Sequence, residues 1–72
     1  MGWCSGTDVF DTMAEVILSM SELSNITQVI LLTRLIEALE GHDWDCQGES
    51  VFFEHPRVQE AMKKLHPSWF ED

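Results

Sequence analysis

The stretch "ITQVILLTRLIEALE", Ile26 to Glu40, constrains the fold of this chain more than any other. Its apolar residues recur every three or four positions, the period of an α-helix. Val29, Leu32, Leu35, Ile36 and Leu39 face one way, while Ile26 and Ile30 lie round the side. A helix apolar over so wide an arc needs neighbours on two sides, or a second copy of the protein. The spacing predicts a helix over 26–40, opened by Asn25 and Gln28 in a capping-box-like pair. Gly41 stands where a left-handed residue closes many helices.

Two further helices supply the neighbours. Val9, Phe10, Met13, Val16, Ile17 and Met20 share one helical face, which predicts a helix over 8–22 with Thr7 as its N-cap. "SELSN" interrupts the pattern before the central helix. Pro56 is suited to the first position of a helix, with His55 or Glu54 as cap, and Val58, Ala61, Met62 and Leu65 give that helix its face. It spans 56–65 and stops before Pro67. "SVFF" is ambiguous, leaving room for a short turn or strand near 49–53. The expectation is an all-α, single-domain, three-helix fold, a helical hairpin plus a third helix. At 72 residues such a chain buries roughly 60–65% of its unfolded surface, leaving little material for a deep catalytic cleft.

Charge narrows the choice of partner. Thirteen Asp and Glu face four Lys and Arg, a net charge of −9. Such a surface opposes direct contact with nucleic acid, whose binding depends on Lys and Arg displacing counterions. A basic protein surface or a cation is the natural counterpart. No apolar run is long enough to span a bilayer, and no basic segment precedes an apolar one at the start, so the sequence predicts neither membrane insertion nor a signal peptide. With two cysteines, that points to a cytoplasmic setting and free thiols, with a Cys4–Cys46 bridge as the alternative.

The acids are not evenly spread. Asp8, Asp11, Glu15 and Glu22 are placed opposite the apolar face of the first helix, with no Lys or Arg within four residues of any of them. A positive helix N-terminus accounts for Asp8 and Asp11 but not for Glu15 and Glu22. Partner contact through these four, with Trp3 or Trp44 as an aromatic anchor, is the resulting expectation.

"DWDCQGESVFFE" raises a second reading, a divalent-metal module. Asp43, Asp45, Gly48, Glu49 and Glu54 fall at positions one, three, six, seven and twelve of a calcium loop. Gln47 at position five, Ser50 at position eight and Pro56 just beyond depart from that pattern. For zinc, Cys4, His42, Cys46 and His55 would supply a sulfur and nitrogen set, though without a Cys-x2-Cys pair. The residues arrange no nucleophile, base and orienting group, and no phosphate-cradling glycine loop, so the expectation is a protein that is not an enzyme and carries no resident cofactor.

The opening residues Gly2, Trp3, Cys4, Ser5 and Gly6, with Asp43, Asp45 and Cys46 after the second helix, resemble small accessory proteins encoded by tailed phages and their prophages. The resemblance spans most of the chain, and its opening motif is the distinctive part. It implies a protein that binds and modulates a host protein, and acidic members of such sets sometimes imitate DNA. The sequence therefore predicts a non-enzymatic acidic protein acting on a basic host surface. It also leaves open a homodimer through the central helix, and Ca or Zn binding in the 43–54 loop.

Overall fold

The computed structural model describes residues 4–70. Three helices form, α1 (Gly6–Ser19), α2 (Asn25–Glu40) and α3 (Pro56–Leu65), with 3-10 turns at Gln47–Glu49 and Pro67–Phe70. The fold is all-α, and no strand occurs among the described residues. The ambiguous 49–53 segment is made of turns, because Ser50 Oγ accepts from the Phe52 amide and bends the chain there.

The central helix packs against both α1 and α3, yet Ile26 and Ile30, the flank of its apolar arc, stay 73% and 51% exposed. Val29, Leu32, Ile36 and Leu39 are buried with Phe10, Ala14 and Ile17 of α1 and Val58, Ala61 and Met62 of α3. Ser24 caps α2, its hydroxyl accepting from the Thr27 amide at 3.1 Å. The cap therefore lies one residue before Asn25. Gln28 plays no capping role: it is buried and its Nε2 donates to the Ile17 carbonyl at 3.3 Å, holding the end of α1 against α2.

The end of α2 also differs from expectation. Gly41 keeps helical dihedrals (φ −64°), and Asp43 takes the left-handed conformation instead (φ 68°). Two backbone bonds then close the helix, Asp43 N–H to the Glu40 carbonyl and Trp44 N–H to the Leu39 carbonyl, at 3.1 Å each. This is a Schellman ending, which carries an apolar contact between the residue after the left-handed one and the last turn. Here those two residues are Trp44 and Leu39, both buried. Aspartate tolerates the left-handed region better than most side chains, so a glycine is not required.

Helix α1 begins at Gly6 and ends at Ser19, not at 8 and 22. Thr7 is already inside the helix, and its side chain is engaged elsewhere. The buried stripe of α1 is Gly6, Phe10, Ala14 and Ile17. Two of these four are small, which lets α1 approach its neighbours closely along that line. Val9, Met13, Val16 and Met20, expected in the core, remain 39–47% exposed. Helix α3 matches its expected span, with His55 Nδ1 accepting from the Arg57 amide at 3.1 Å as its cap.

Candidate functional site

The acidic set on α1 divides into groups with different environments. Asp8 and Glu15 are exposed two turns apart on the helix, and Glu22 is exposed in the turn that follows it. Asp11 is half-buried, and its Oδ1 accepts from Ser50 Oγ at 2.6 Å. That bond ties α1 to the loop, so Asp11 serves the fold. Arg34 pairs with Glu37 at 3.9 Å and His66 Nε2 bonds Glu40 Oε2 at 2.7 Å, neither contact involving α1. All four Lys and Arg lie on α2 and α3.

The aromatic anchors resolve differently. Trp44 is 2% exposed, stacks on Phe10 with ring centroids 5.1 Å apart, and belongs to the core. Its expected role as a partner contact is corrected accordingly; the Schellman ending of α2 turns it inward. Trp3 lies outside the described residues. Trp69 is half-exposed and stacks flat on His66 at 3.8 Å.

Four links fasten the start of α1 to the 43–50 segment. Trp44 Nε1 donates to Thr7 Oγ1 at 3.0 Å, and Thr7 Oγ1 donates onward to the Cys46 carbonyl at 3.3 Å. The hydroxyl thus gives one hydrogen bond and accepts another, which is why Thr7 does not cap the helix. The third link is the Asp11–Ser50 bond, and the fourth is a disulfide between Cys4 and Cys46, whose Cα atoms are 5.3 Å apart. The thiols are therefore bonded, not free as the cytoplasmic expectation had them.

The calcium-loop residues do not converge. Within the described residues, the one set of three or more potential metal ligands whose donor atoms lie within 4.8 Å of one another is Cys4, Cys46 and Glu49. Asp43, Asp45 and Glu54 are not in it. Asp43 is held by the helix ending, and Gln47 at position five is buried, donating to Glu40 Oε2 at 2.6 Å and to the Trp44 carbonyl at 3.2 Å. Ser50 at position eight bonds Asp11. Gln47 and Ser50 thus satisfy the protein's own polar groups. The zinc set does not assemble either, since His55 caps α3 and the two sulfurs bond each other.

Two features escaped the sequence reading. One is the Glu40 carboxylate, which accepts from both Gln47 and His66 and so joins α2, the loop and the end of α3. No local spacing signals that contact. The other is the exposed apolar row Val9, Met13, Val16 and Met20. The width of the apolar arc on α1 was the available signal: Phe10, Ala14 and Ile17 already fill a core-facing stripe, and the row lies beside it.

No protein-family description, curated protein or solved structure matches the chain.

Proposed function

We propose that this chain is a non-enzymatic binding protein of phage or prophage origin that docks on a basic surface of a host protein and modulates it. The observation that supports this reading is the exposed acidic group Asp8, Glu15 and Glu22, which has no Lys or Arg within ion-pair distance among the described residues. Asp8 and Glu15 stand three and four residues from Asp11, spacings at which like charges oppose helix formation by a few tenths of a kcal/mol per pair, so an external positive partner gives them a use that the fold does not. Long-range attraction of this kind speeds encounter and makes it salt-sensitive. Trp44 and Asp11 drop out of the contact set, because each is committed to internal bonds.

Affinity capture from host lysate at low and high salt tests the proposal. The double variant Glu15→Lys, Glu22→Lys is expected to lose most of the salt-sensitive partner recovered by the unaltered protein. Equal recovery by both proteins rejects this face.

A second reading, a divalent-metal module, draws support only from the Cys4, Cys46 and Glu49 cluster. Reduction of the bridge by a phosphine, which leaves as its oxide, would release two thiols beside a carboxylate, a set that on losing the thiol protons suits zinc and not calcium. Calorimetry with Zn²⁺ on reduced protein decides it, and absence of heat ends that reading.

A further inference from the structure

The proposed docking role leaves a conspicuous apolar surface without an explanation. Val9, Met13, Val16 and Met20 follow one another at spacings of four, three and four residues, a row that runs along α1 to its C-cap residue, Met20. Each leaves 39–47% of its surface exposed. Together they present roughly 300 Å² of apolar area, a size at which patches on small monomers are often functional. A shallow groove of about 310 Å³, lined by Asp8, Val9, Thr12 and Met13, lies at the N-terminal end of the row.

The charge beside the row says what covers it. Asp8 and Glu15 form a parallel line on the same helix, one residue before Val9 and Val16 and so about 100° round the axis. Thr12 and Ser19 fall between the two lines. A complementary partner therefore carries an apolar stripe three turns long with positive charge along its edge. That is the pattern of a basic amphipathic helix seated in a groove through anchors at i, i+3 or i+4, and i+7. Two of the four row residues are methionines, whose flexible thioethers adapt to differently shaped anchors. A second copy of this chain fits poorly, since each copy carries a net charge of −9 and would bring its acidic line against another.

We infer that the Val9–Met13–Val16–Met20 row of α1, edged by Asp8 and Glu15, is the seat for a basic amphipathic helix of the partner protein. This rests on the docking role proposed above and names the partner's chemistry.

The test uses the full chain with its disulfide intact and a synthetic Leu/Lys peptide of about five turns, its leucines at helical spacing. The control peptide has the same composition in an order that forms no helical face. Calorimetry is expected to show the helical-period peptide binding at least about tenfold tighter than the control. The Met13→Ser, Val16→Ser variant, altered only at exposed positions and checked for native helicity by circular dichroism, should lose that preference. Methyl signals of Met13 and Met20 should shift on binding the helical-period peptide. Equal affinity for both peptides overturns the helix inference and leaves charge-driven docking standing. Binding to neither peptide, or binding unaffected by Glu15→Lys with Glu22→Lys, overturns both. A homodimer in sedimentation that the Met13→Ser, Val16→Ser variant dissolves assigns the row to a second copy and overturns the inference.

Discussion

Asp11 sits in an acidic row but accepts from Ser50 at 2.6 Å across the α1–loop junction. Replacing it with Asn weakens a charge-assisted bond at a half-buried site, and should cost about 1–2 kcal/mol in urea unfolding while leaving partner capture unchanged. Capture lost with stability preserved would return Asp11 to the docking face. Asp43, at position one of the calcium-like spacing, carries the left-handed turn that ends α2. Asp43→Gly should fold at least as stably as the parent, whereas Asp43→Val should lose about 1–2 kcal/mol, because a β-branched side chain clashes at positive φ. Comparable stability of the two variants would show that the backbone there relaxes without cost.

The helices themselves were legible where the signal was local. Apolar periodicity and the Pro56 start marked α2 and α3 to within a residue, and the breadth of the apolar arc on α2 marked it as central. Periodicity could not say which part of the arc on α1 faces inward. That depends on Gly6 and Ala14, whose small size matters only once a neighbour approaches, and on the partners that Thr7 and Trp44 find across the chain. The docking set was legible only in part, since burial of Trp44 and bonding of Asp11 are long-range contacts. The same holds for the bridge between Cys4 and Cys46, separated by 42 residues. Closing a loop of that length constrains the unfolded chain by about 4 kcal/mol in the chain-entropy account, so reduction or Cys4→Ser with Cys46→Ser should lower unfolding stability by that order. For a chain this small, that is a large share of the total. A loss below about 1 kcal/mol would mean that Thr7, Trp44 and Asp11 hold the junction without the bridge.

Across the whole molecule, attachment is uneven from one end of α1 to the other. The disulfide, the Thr7 hydroxyl and the Asp11 carboxylate all grip the first half of the helix, whereas beyond Ala14 the polar link to another element among the described residues is Gln28 to the Ile17 carbonyl. Such a helix frays first at its C-terminal turn. Amide hydrogen exchange should therefore show protection that declines from about Phe10 toward Ser19, with the last turn exchanging through local fraying and the amides around Phe10 only on global unfolding. Uniform protection along α1 would contradict this. A helix riveted at its start and held at its finish by Ile17 and one hydrogen bond leaves Val16 and Met20, which lie outside the core, room to adjust to an incoming surface while Val9 stays put.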